Sequence, residues 1–123
     1  MKVGANMRQI IFRGKQIGTG KWIQGYLFRI WDRAYILWGT CNDIPCRIEV
    51  EPETVCQGTG LKDKNDKEIY EGDIFVMNDP RLKHTVEWHD TGFMGKQHGT
   101  YGSYVGLSHW RDKIVVIGNV HDN

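Results

Sequence analysis

The sequence predicts a small, mainly β domain, a barrel or sandwich with at most one short helical turn. Apolar and polar residues alternate in runs only a few residues long, as strands with two faces require. Gly, Asn, Asp and Pro separate these runs at short intervals, supplying the conformations that tight turns need. No window sustains an apolar stripe of 3.6-residue period, so no long amphipathic helix is expected.

The elements follow in chain order. Ile10 and Phe12 alternate with Gln9, Ile11 and Arg13; Gly14, Gly18 and Gly20 offer turn positions; residues 21–29 then resume with aromatic and aliphatic side chains suited to strands. Residues 8–29 are therefore expected to form an antiparallel hairpin. Further short strands are expected over 34–38, 47–50, 74–77, 85–88, 101–107 and 114–120. Pro52 followed by Glu53 suits one helical turn, because proline tolerates a first turn and an acidic side chain favours a helix N-terminus. Leu61 reads as an apolar anchor and residues 63–66 as a polar turn. Ile69 and Tyr70 return to the core, and Glu71-Gly72-Asp73 leads into the next strand.

Four segments carry a family resemblance: RQIIFRGK at 8–15, GKWIQGYL at 20–27, VEPETVCQGTGLKDKNDKEIYEGDI at 50–74 and VVIGNVHDN at 115–123. In wording and order they resemble the YopX family of bacteriophage and prophage proteins. The resemblance implies a mostly β chain with an SH3-type barrel and a phage accessory role without an assigned reaction. Three positions depart from the family pattern. Asn65-Asp66 stands where Asn-Gly is frequent, so the turn is of another or less relaxed type. Gly58 stands where an aromatic is common, which removes any stacking role there, and Cys56 replaces a usual glycine, which argues against a shared ligand role.

At 123 residues, with 40% hydrophobic and 25% charged side chains, the chain lies in the ordinary globular range. One domain over residues 1–123 is the natural expectation, too small for separate substrate and cofactor domains. No apolar run approaches the roughly 20 residues of a membrane span, and residues 1–6 lack the apolar stretch of a leader peptide. The bacterial host cytoplasm is the expected compartment. Cys41, Cys46 and Cys56 make an odd count without an export signal, so reduced thiols are expected rather than a disulfide framework. Their spacing lacks a second tight pair and would need His84 or His89 as a distant fourth zinc ligand, so no metal is expected.

Other chemical motifs fail at specific positions. An EF-hand beginning at Asp63 would place Glu68 at the required glycine and Ile74 at the closing glutamate. Interleaved with Lys62, Lys64 and Lys67, these carboxylates read instead as a solvated loop with weak pairs. Gly18-Thr19-Gly20-Lys21 lacks the first glycine and the final hydroxyl of a phosphate loop, which fall on Lys15 and Trp22. His84, Glu87 and His89 match neither metalloprotease order, and on a strand Glu87 and His89 would share a face opposite His84. Ser103 and Ser108 lie in no nucleophile elbow. No catalytic residues and no cofactor are expected, and the chain is not expected to be an enzyme.

Charge is the feature that could carry function. Residues 1–34 hold seven basic side chains (Lys2, Arg8, Arg13, Lys15, Lys21, Arg29, Arg33) against Asp32 alone, a local +6 in a chain of +1, leaving −5 for the rest. Trp22, Tyr26 and Trp31 interleave with them, the composition of a groove that tracks single strands. The near-neutral total favours a plainer reading, in which the rings are core and the charges pair with the acidic segment 43–79. The leading expectation is a non-catalytic accessory protein acting by protein-protein contact or self-assembly. Nucleic-acid binding through Arg8, Arg13, Lys15, Lys21, Trp22, Arg29 and Arg33 is the alternative. Five Trp, five Tyr and four Phe exceed what so small an interior holds, so some rings should lie outside and a homo-oligomer, most simply a dimer, is expected.

Overall fold

The computed structural model describes residues 9–99 and 103–122. Arg8 and the first residues of the strand expected over 101–107 lie outside that range. Contacts divide the chain into two compact units, residues 1–60 and 61–123. Each has its own apolar cluster.

In the first unit, β1 (Phe12–Lys15), β2 (Trp22–Ile30), β3 (Arg33–Cys41), β4 (Ile44–Val50) and the residues of β5 (Cys56–Lys62) up to Gly60 follow the sheet order β4-β3-β2-β1-β5. The expected hairpin forms, with Arg13 opposite Gln24 and Lys15 opposite Trp22, closed through Gly18 and Gly20 at positive φ. Asn42 and Asp43 both have positive φ, the mirror-image turn whose twist suits a two-residue hairpin between β3 and β4. Pro52–Thr54 forms a single 3-10 turn where Pro52 predicts one. Thr54 pins it to β1, its hydroxyl donating to the Glu51 carbonyl at 2.7 Å and accepting from the Lys15 N–H at 2.9 Å.

The period-2 pattern decides what this sheet buries. Ala34, Ile36 and Val50 point to one side and are fully buried, with Phe12, Ile23, Leu27 and Val55 packed on them. Gly25 sits against the Leu37 carbonyl of β3, where an added Cβ would collide with backbone. A side chain there would push the two strands apart.

In the second unit, β6 (Glu68–Tyr70) is followed by β7 (Asp73–Val76), β8 (His84–His89), β9 (Gly92–Gln97), β10 (Tyr104–Gly106), the one-turn helix α1 (Leu107–Trp110) and β11 (Val115–Asn119). The turn between β5 and β6 closes through the Asp63 N–H to the Lys67 carbonyl at 2.8 Å. The remaining strands form an antiparallel sheet in the order β10-β9-β8-β7-β11. Its core joins Ile69, Phe75, Val86, Leu107, Ile114 and Val116. Gly95 leaves the space that the Phe75 ring fills.

Over the described residues the chain is thus mainly β, in two antiparallel sheets with one short α-helix, as the alternation predicts. Among the described residues no pairing between named strands closes either sheet into a barrel, although a bridge between Gln16 and Val50 ties the end of β1 to the end of β4, and no helix is long and apolar enough to cross a membrane.

Two expectations need correction. Cys41 and Cys46 are joined in a disulfide, with Cα atoms 5.5 Å apart. The Asn42-Asp43 turn brings them within bridging reach, so an odd total says nothing against a local pair. Cys56 is buried and its Sγ lies 3.2 Å from the Thr54 carbonyl. The second correction concerns the acidic loop, which is not uniformly solvated. Lys62 and Asp66 form an exposed pair at 3.7 Å, as expected, but Asp63 and Asp73 are buried. Asp63 accepts from the N–H groups of Asn65 and Lys67 at 2.9 Å and of Val116 at 3.0 Å. Asp73 accepts from the Tyr70 N–H at 2.8 Å and the Asn119 amide at 3.0 Å. Buried carboxylates persist because donors saturate them. The segments 50–74 and 115–123 therefore meet through two carboxylate clamps, and their wording serves geometry.

Candidate functional site

In the first unit the strand period sorts side chains onto an inner and an outer face. Opposite the Ala34–Ile36 side lie Arg13 and Lys15 on β1, Trp22, Tyr26, Phe28 and Ile30 on β2, Arg33 and Tyr35 on β3, and Arg47 and Glu49 on β4. Cross-strand register places Phe28 opposite Tyr35, Tyr35 opposite Glu49, and Leu37 opposite Arg47. This outer face exposes large rings rather than small polar groups: Tyr26 is 47% exposed and Phe28 43%. Such a cluster on a sheet face departs from the usual polar outer side of an antiparallel sheet.

Cations are set among the rings. The Arg13 guanidinium lies 4.3 Å from the Trp22 ring centroid and the Lys15 ammonium 5.4 Å, while Arg47 lies 5.6 Å from Tyr35. All are within cation–π range. The Arg33 guanidinium is hydrogen-bonded to Tyr35, which raises its pKa, with Glu49 and Asp32 adding to the effect. The Phe28 and Tyr35 rings sit 6.0 Å apart at 41°.

The β2–β3 hairpin tip completes the site. Trp31 is 91% exposed and has φ of +54°. A bulky residue in the left-handed region costs about 1–2 kcal/mol, and such strain concentrates at functional positions. Phe28, Ile30, Trp31, Asp32, Arg33, Tyr35 and Arg47 line a cleft of about 610 Å³ there, within the size range of small-molecule sites.

Of the residues singled out from sequence, Arg13, Lys15, Trp22 and Arg33 share this face. Arg29 lies on the opposite pleat at the end of β2, Lys21 is exposed just before β2, and Arg8 lies outside the described residues. The plainer reading, in which Trp22, Tyr26 and Trp31 are core, is corrected at Tyr26 and Trp31, which are exposed, as the large number of rings predicts for some. Trp22 changes role too, its ring carrying two cations. Phe28, Tyr35 and Arg47 were missed, although the alternation of Tyr26, Phe28 and Ile30 was a readable signal.

The histidine motif of the second unit does not converge. His84 is 3% exposed and stacks on Phe75 at 5.0 Å. Burial lowers its pKa, with His98 adding to the effect and the Leu82 carbonyl opposing it. His89 stacks on Tyr104 at 4.2 Å on the other pleat. Among the described residues no three His, Cys, Asp or Glu side chains are grouped to hold a metal.

Comparison with known proteins gives a family match and a structural likeness. The family model described as YopX protein matches residues 11–123. Protein EF1440 from Enterococcus faecalis, known from its crystal structure, is similar at a TM-score of 0.55 and 23% identity, over 94% of this chain and 95% of that one. The likeness is one of fold. No curated protein matches.

Proposed function

The chain belongs to the YopX family, and we propose that this member is a non-catalytic phage accessory protein that acts by binding another macromolecule or copies of itself. The outer face of β1–β4 is its binding surface. The observation carrying this reading is the outward presentation of Tyr26, Phe28 and Trp31 in one cluster, where burial would serve stability better. The bacterial host cytoplasm is the setting.

Self-association has a second support. β4 ends the sheet order, and its last residues pair with the segment after β1, Gln16 bridging Val50 and the Ile17 N–H donating to the Glu49 carbonyl. This leaves the Ile44 end at the sheet edge, where Trp38 and Ile44 are exposed. A closed dimer covers both. Light scattering tests this: the expected species has twice the chain mass, and Ile44→Lys returns it to monomer. A monomer persisting at about 1 mM overturns the self-association reading.

Nucleic acid is favoured as a partner by one specific observation, the placement of Arg13, Lys15, Arg33 and Arg47 among the rings of the same face. A backbone-tracking groove combines those two side-chain classes.

A further inference from the structure

We infer that the outer face of the first unit binds single-stranded nucleic acid, with unpaired bases stacked on Tyr26 and Phe28 and one base seated in the cleft at the β2–β3 tip. The inference rests on the reading of that face as the binding surface and selects among its partners. Three features lead to it.

The rings are arranged for stacking. Tyr26 and Phe28 are two residues apart on one strand, hence about 7 Å apart along it on the same side. Sheet-face aromatics at such positions take two or three successive bases in known single-strand modules. A duplex hides its base faces and cannot use them.

The charges complement a backbone. Arg13 and Lys15 lie toward one side of the rings on β1, with Arg33 and Arg47 on β3 and β4 on the other. Guanidinium groups offer fork-shaped donors to phosphate oxygens. The Tyr35 hydrogen bond limits the freedom of Arg33, so less ordering is needed when an anion arrives. A purely apolar protein partner would have to desolvate four cations with only Asp32 and Glu49 on that face to compensate.

The cleft has the chemistry of a base site. Phe28, Ile30, Trp31 and Tyr35 give it apolar and aromatic walls, and Asp32 gives it one carboxylate. A carboxylate repels phosphate but accepts from the exocyclic amino group of cytosine. The base therefore enters the cleft and its phosphates stay with Arg33 and Arg47. Trp31, held at positive φ and exposed, forms the outer wall of the cleft against which the base packs.

Fluorescence anisotropy with labelled oligo-dT, oligo-dC and oligo-U of about 15 nucleotides, and a duplex of the same length, tests the inference at about 50 mM salt. The full chain is expected to bind the single strands more tightly than the duplex. Affinity should fall with salt on a log–log slope near −3, about 0.7 for each of four phosphate contacts. Phe28→Ala should weaken binding about 10- to 100-fold at an unchanged slope. Arg33→Gln with Arg47→Gln should reduce the slope by about 1.4. Thermal unfolding checks that each variant is folded, and Tyr26→Ala provides an independent stacking variant should Phe28→Ala unfold. Equal affinity for duplex with no effect of either ring variant overturns the inference in favour of nonspecific charge attraction. No binding of any oligonucleotide also overturns it. In that case a defined protein partner or dimer lost in Phe28→Ala leaves the binding-surface reading standing, and retention of every association by Phe28→Ala removes that reading as well.

Discussion

The two units contain similar strands and use their aromatic and charged residues in opposite ways. In the second, Phe75 is fully buried, His84 lies against it, and the carboxylates of Asp63 and Asp73 are saturated by donors from β6, β11 and their flanks. In the first, Tyr26, Phe28 and Trp31 face water beside Arg33 and Arg47. The difference teaches that residue type alone does not separate structural from functional groups. Partner saturation does: each polar atom of the second unit's clamps has its donors inside the protein, while the first unit's rings keep their faces for something else.

The sharpest test of this contrast is a pair of Phe→Ala variants. Phe75→Ala should cost about 3–5 kcal/mol because a filled core position becomes a cavity. Phe28→Ala should cost less than about 1 kcal/mol. Chemical denaturation measures both, and comparable costs would erase the distinction. Asp63→Ala is expected to cost about 1–3 kcal/mol, leaving the buried Val116 N–H without its acceptor. In the same assay, Asp66→Ala should be near neutral, since its pair with Lys62 is exposed.

Burial also gives the second unit a pH dependence. The folded-state pKa of His84 is lowered, so the unfolded chain takes up its proton first. The associated stability is complete above the unfolded value of about 6.5 and is lost as pH falls through the folded value. A His84→Gln variant should lose less stability than the parent between pH 7.5 and pH 5, measured by denaturation at both. A small effect of opposite sign is expected in the first unit. Trp31→Asn should raise stability by up to about 1 kcal/mol, because asparagine tolerates positive φ, while oligonucleotide binding weakens.

Much of the fold was legible where local signals agree. Glycines and alternation marked the β1–β2 hairpin, and Pro52-Glu53 marked the 3-10 turn at Pro52–Thr54. β5 and β9 were not, because CQGTGLK and GFMGKQ each contain two glycines and too few strand-favouring side chains. Burial of Asp63 depends on a hydrogen bond from Val116, 53 residues away, which no local pattern reports. The site was legible in part. Composition pointed to Arg13, Lys15, Trp22 and Arg33, but β2 is apolar on both pleats. Only the register, with Leu27 opposite buried Ile36 and Phe28 opposite Tyr35, says which pleat faces out. Arg47 joins through sheet order alone.

An NMR titration of the isotope-labelled chain with oligo-dC reads the contacts of both units at once. Shift changes centred on Tyr26, Phe28, Trp31, Arg33, Tyr35 and Arg47, with the clamp around Asp63 and Asp73 unmoved, are the predicted result. Changes centred on the second unit, or none at all, would contradict the account.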